Sequence, residues 1–275
     1  MKKLHRLFLF LSILVVMISC HKNTEVDLKP NINVANDVVI AECAFKYIFN
    51  MIVKAQTDAA LKANHVARID SAQVTYNTNE DEFVFEYSGK MCQDSARRSG
   101  KFEAEFDSSF LRPGSATMVL FDNYYDGTDL INGMDSIVYN GITSGNRMVF
   151  TNYVKNGMIL KGLTNNAMIT WSSENQFITN ANSFTQPGDI IFLVGGTCAG
   201  ISSKGYRFSA SLDSLTDNIN CPWILDGIIH LVIPDAGITT GTVDFITNDG
   251  CNNKMKYTFE ENTFYLWKNS QYLKN

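Results

Sequence analysis

Histidine, proline and recognisable catalytic signatures are what this 275-residue chain has least of: four histidines and five prolines in all. Beyond the N-terminal segment only His21, His65 and His230 remain. No HExxH, GxSxG or phosphate-binding glycine loop accompanies them, which removes the usual zinc-peptidase, serine-hydrolase and nucleotide-binding signatures. The six cysteines show no CxxC spacing, so no metal site is expected. Lysine and arginine together number 23 against 28 acidic residues. They form no basic stripe interleaved with aromatics, and nucleic acid is excluded as a partner. After residue 20 no apolar run approaches the ~20 residues that cross a bilayer as a helix. No cofactor is implied.

The one long apolar run is "LFLFLSILVVMISCHKN", Leu7 to Asn23. Lys2, Lys3 and Arg6 precede it as a positive n-region, its dozen apolar residues fit a secretory h-region, and Ser19 puts a small residue before Cys20. "MISC" resembles the lipobox of bacterial lipoproteins, with Met17 where that motif usually carries leucine. The resemblance implies cleavage before Cys20 and a lipid on its thiol and new amine. Several acyl chains at ~0.8 kcal/mol per buried methylene make such an anchor effectively permanent. The expected divisions are a signal peptide over 1–19, a lipidated tether over 20–36 and a single domain over 37–275. Loss of Lys2, Lys3 and Arg6 takes the net charge from −5 to −8. By the same resemblance, His21 after the cysteine argues for the outer membrane, and "HKNTEVD" is similar to the acidic export leaders of Bacteroidota. Whether the periplasmic or the outer face is occupied stays open.

From Asn36 the pattern becomes helical. Val38, Ala41, Phe45, Ile48, Ile52, Ala55 and Ala59 recur at three- and four-residue steps, with Asn36 or Asp37 as cap and Asn64 as stop. From Ile69 the period is two: "EFVFEY", "KFEAEF", "YRFSASL" and "KMKYTF" each alternate a buried with a solvated face. "YVKNGMIL" reads as an Asn-Gly hairpin, and "EEN", "PDAG" and "NDG" as further turns. The expected fold is mainly β with one N-terminal α-helix. About ten to twelve strands form an antiparallel meander, curved into a half-barrel or folded as a sandwich, with the helix packed on one face. "NANSFTQPGD" (180–189) is a possible internal seam.

"SGKMCQDSARRSGKFEAEF" and "VGGTCAGISSKGYRFSASL" share a strand, a polar turn with cysteine and an alternating strand, and "TNDGCNNKMKYTF" is a shorter version. These blocks, with "LFDNYY" and "CPWILDG", resemble an uncharacterised family of β-rich Bacteroidota cell-envelope lipoproteins, from about Val74 onward. That family brings no activity with it.

Five cysteines remain after Cys20, allowing two bridges at most. Cys221 precedes the strand "WILDGIIHLVI", and "GTVDFIT" returns to "NDGCNN", so a Cys221–Cys251 disulfide is expected. Cys92 and Cys198 are read as turn residues and Cys43 as a thiol on the helix. His65 reads as an ordinary exposed residue and His230 as a partly buried strand histidine. "DNYYDGTDLINGMD" (Asp122 to Asp135) is dense in acids. As a calcium loop it fails at its third position, Tyr124, and it reads as a solvated turn. Glu103 and Glu105 read as solvent-face acids, and Tyr124, Tyr125, Trp171, Trp223 and Trp267 as core unless several are exposed together. No catalytic residue is assigned. The expected function is that of a lipid-anchored envelope protein that binds a protein, glycan or lipid. The alternatives are an envelope hydrolase acting on glycan and a structural lipoprotein.

Overall fold

The computed structural model describes residues 27–162, 167–185, 190–246 and 250–267. The expectations placed on residues 1–26, Cys20 among them, lie outside the described residues.

Pro30 fixes φ at the first turn of α1 (Lys29–Thr57), where its missing N–H costs nothing. The helix therefore starts earlier than Asn36, and the second half of the expected tether is helical. Asp58 interrupts it. The Asp58 carboxylate accepts from the Leu61 N–H at 2.7 Å and so caps a second short helix, α2 (Ala59–Asn64). His65 closes α2 in the left-handed conformation at φ 60°. The spacing rule found one buried stripe on α1, but burial runs all the way round. Every residue from Asp37 to Val53 is buried, including the intervening Glu42, Lys46 and Asn50.

The reason is the sheet. Its strands are β1 (Val66–Ile69), β2 (Ala72–Asn77), β3 (Glu82–Met91), β4 (Arg97–Phe106), β5 (Ala116–Asp126), β6 (Asp129–Ile142) and β7 (Arg147–Lys161). They continue as β8 (Ala167–Asn180), β9 (Ile191–Ile201), β10 (Arg207–Asn218), β11 (Ile224–Val232), β12 (Thr240–Phe245), β13 (Lys254–Phe259) and β14 (Asn262–Trp267). All fourteen pair antiparallel in strict chain order, and β1 and β14 remain edges. One continuous sheet curls about α1, which settles the curved alternative over the sandwich. α1 touches β1 near one edge and β12 and β13 near the other, as well as β6, β7 and β8.

The alternating faces hold: Phe83, Phe85, Tyr87, Phe102, Ala104, Phe208, Ala210, Leu212, Met255, Tyr257 and Phe259 all face the core. Two readings need correction. Asn156-Gly157 is a bulge inside β7, with Asn156 at φ 51°, because pairing with β6 and β8 continues on both sides of it. An Asn-Gly pair supplies positive φ to a bulge as readily as to a hairpin turn. The expected seam holds a 3₁₀ turn (Ala181–Thr185), yet β8 pairs directly with β9, Ile178 opposite Leu193, so the sheet is uninterrupted there.

The disulfide joins Cys221 and Cys251, with Cα atoms 5.7 Å apart. β11 runs away from Cys221 and β12 returns to the same end, as the strand lengths required. Cys43, Cys92 and Cys198 are buried outside this bridge. Cys92 follows β3 in a turn, whereas Cys198 lies within β9 rather than a turn.

Candidate functional site

Glu42, Lys46 and Asn50 stand four residues apart, so they stack on one face of α1. That face meets β8 and β10. Asn175 Nδ2 donates to both Glu42 carboxylate oxygens at 3.1 Å, and Lys46 Nζ donates to Asp217 Oδ1 at 2.7 Å. Burial pushes the Glu42 carboxyl up to about 7, against the opposing effects of Asn175 and Lys46. Among the described residues, Asn175 Oδ1, Asp217 Oδ2 and Asn50 Oδ1 are buried without a hydrogen-bond partner. One turn nearer the helix start, Asp37 accepts from Lys161 Nζ at 3.1 Å and from the Ser203 N–H at 2.7 Å.

A second interior cluster surrounds Arg98, which is fully buried. Its two terminal nitrogens donate to Asp94 at 2.8 and 2.7 Å, and Asp126 lies 3.0 Å away. The guanidinium stacks 3.7 Å over the Tyr47 ring. The Tyr47 hydroxyl donates to Asp70, and Tyr87 donates to Tyr47. Burial raises the hydroxyls of Tyr47, Tyr87 and Tyr124. A third buried group is Asp135, held by Asn152 at 2.9 Å and pushed by burial up to about 7. The first two clusters tie helix to sheet and the third ties β6 to β7, and each lies in the packed interior.

The outer face of the sheet carries an open groove of about 630 Å³ across β7–β11. Its floor is small: Ser172, Thr197, Ala199, Ser209 and Ser211. Tyr153, Lys155 and Glu174 rise on one side and His230 and Val232 on the other. Rows across strands build it, since Glu174 pairs with Thr197, Thr197 with Ser211 and Ser211 with His230. Ser211, His230 and Asp213 are thus the nearest approach to a hydrolytic triad. However, His230 Nε2 lies 3.9 Å from Asp213, outside hydrogen-bond range. His230 and Ser211 share no hydrogen bond among the described residues. The His230 side chain is 52% exposed, which corrects the expectation that it is partly buried: it projects from the outer face of β11.

The acidic stretch 122–135 is mostly hairpin rather than a solvated turn: β5 and β6 pair through it, and Asp129 and Asp135 are buried. Tyr124 and Trp171 are core, Trp171 donating to Ser173 Oγ at 3.1 Å. Tyr125 and Trp223 are half-buried, and the Trp267 side chain lies outside the described residues. Among the four described side chains no sugar-stacking platform forms. His65 is exposed, as expected. Glu103 and Glu105 face outward with Glu82, their ligand atoms within 4.8 Å of one another. Sequence reasoning missed Glu42 and Lys46 entirely and took the buried Asp135 for part of a solvated turn. No helix among the described residues is long and apolar enough to cross a membrane. No family model, curated protein or solved structure matches this chain.

The two carboxyls pushed up to about 7 give a pH signature. The ordinary values are 4.5 for Glu42 and 3.8 for Asp135, against about 7 for each in the folded protein. Between these limits the native state holds protons that the unfolded chain has released. Their contribution to stability is therefore full at low pH and is lost as the pH rises through about 7. Glu42 is worth up to about 3 kcal/mol and Asp135 up to about 4 kcal/mol. The melting temperature is expected to rise on going from about pH 8 to about pH 5.5, and Glu42→Gln should flatten the slope. A scan showing stability falling over that interval in the wild type would contradict it.

Proposed function

We propose that this chain is a lipid-anchored cell-envelope protein of the Bacteroidota type, held at the outer membrane through Cys20. In this reading it is not an enzyme and binds a protein, glycan or lipid partner on the outer face of its sheet. The carrying observation is the β7–β11 groove, a recess of ligand size on the outer face of the sheet. The n-region, h-region and "MISC" support the anchor. The Cys221–Cys251 disulfide supports an oxidising compartment. Binding is favoured over glycan hydrolysis because Glu42 and Asp135, the carboxyls pushed up to about 7, lie inside the core, and Glu82, whose carboxyl burial also raises, stands on β3 outside the groove. The groove's own Ser211 and His230 lack triad geometry with the neighbouring Asp213.

A photoreactive residue at Ala199, in the groove floor, tests this in native membranes. One at Glu103, on the outer face of β4, serves as control. A defined adduct from Ala199 alone is expected. No adduct from Ala199, or the same adducts from both positions, would remove the groove as the binding surface.

A further inference from the structure

A meander sends alternate turns to opposite ends, and three contacts show which end lies by the start of α1. Asn31 Nδ2 donates to the Ile238 carbonyl in the β11–β12 turn. Asp37 accepts from the Ser203 N–H in the β9–β10 turn and from Lys161 at the end of β7. The opposite end lies beyond Phe49, which packs on Phe150, Phe177 and Phe192. Phe110 and Phe184 stack on Phe150 there, ahead of the β6–β7 turn at 143–146. Twenty-nine residues of α1 set the two ends roughly 43 Å apart.

Cys20 precedes Lys29 by nine positions, a leash of at most about 32 Å when fully extended. The far end cannot be turned onto the leaflet that holds the anchor, because the start of α1 would then stand further from it than the leash reaches. We infer that the end of the sheet by the start of α1, with its β9–β10 and β11–β12 turns, is the end held towards the lipid surface. The 143–146 turn and the Cys221–Cys251 staple then face away from it. Ala199 and Ser209 lie three residues from the β9–β10 turn and Val232 ends β11, so the groove opens in the lipid-facing half. This rests on Cys20 carrying the lipid.

The test uses the full lipidated protein on phosphatidylcholine–phosphatidylglycerol vesicles with a quencher on the headgroups. A fluorophore is placed at Lys204→Cys or at Ser144→Cys, with Cys20→Ala as the unanchored control. The wild type is expected to sediment with vesicles and the control to stay in solution. Quenching should be strong at position 204 and several-fold weaker at 144. Equal quenching, which means lying flat, or the reverse order overturns the orientation while leaving the anchor intact. A wild type that fails to sediment overturns the anchor, and the orientation with it.

Discussion

Phe49→Asp is expected to leave no folded protein. Phe49 is fully buried at the centre of the curl, stacked on Phe177 at 3.9 Å and edge-on to Phe192 at 5.1 Å and Phe150 at 5.9 Å. It joins α1 to three strands at once. Loss of a buried phenylalanine ring costs about 3–5 kcal/mol through transfer and cavity terms. The new carboxylate adds the cost of an unpaired charge with no donor designed for it, or of a proton taken up to avoid that charge. Together these reach the whole stability of an ordinary domain, about 5–15 kcal/mol. The measurement is a far-ultraviolet circular dichroism melt, in which the variant should show no cooperative transition. Phe49→Leu keeps an apolar group in place and should fold with a lowered melting temperature. A wild-type melt from the aspartate variant would mean that α1 is not enclosed by the sheet.

The strands were legible because one face of each is wet. Phe102 and Ala104 against Lys101, Glu103 and Glu105 is a pattern that only a half-buried strand produces. The disulfide was legible for a related reason: a hairpin of two similar strands returns the chain to its starting edge, whatever lies between Cys221 and Cys251. The helix was legible only in part. Spacing rules assign polar residues to a solvent face, and α1 has no solvent face over most of its length. Glu42 and Lys46 therefore looked like ordinary surface positions. Their partners are Asn175, 133 positions away, and Asp217, 171 positions away. No local signal links residues so far apart. The groove was hidden for the same cause, since each row of its floor takes one residue from each of several strands. Asn156-Gly157 shows the opposite failure, a strong local turn signal outweighed by pairing on both sides of it.

The buried pair Lys46–Asp217 gives the second large effect. Its atoms are 2.7 Å apart, with side chains 3% and 0% exposed. Such a pair roughly cancels its own desolvation, so its presence is no measure of stability, but losing one partner strands the other charge. In Lys46→Met, Asp217 keeps a buried carboxylate whose Oδ2 already has no partner among the described residues. The expected cost is about 3–5 kcal/mol. At about 2–4 °C per kcal/mol for a chain of this size, the melting temperature should fall by roughly 10 °C. Lys46→Met combined with Asp217→Leu removes both charges and refills the space with apolar atoms, and should recover most of the loss. Additive losses in the double variant would show that the two side chains are not coupled. Glu42 supplies an independent readout. Lys46 opposes the rise in the Glu42 carboxyl while Asp217 adds to it. Removing Lys46 alone should therefore move the pH at which stability is lost upward, and Asp217→Leu alone should move it down. Opposite displacements from two neighbours of one carboxyl distinguish a shared electrostatic site from a general loosening of the core, which would leave that midpoint in place.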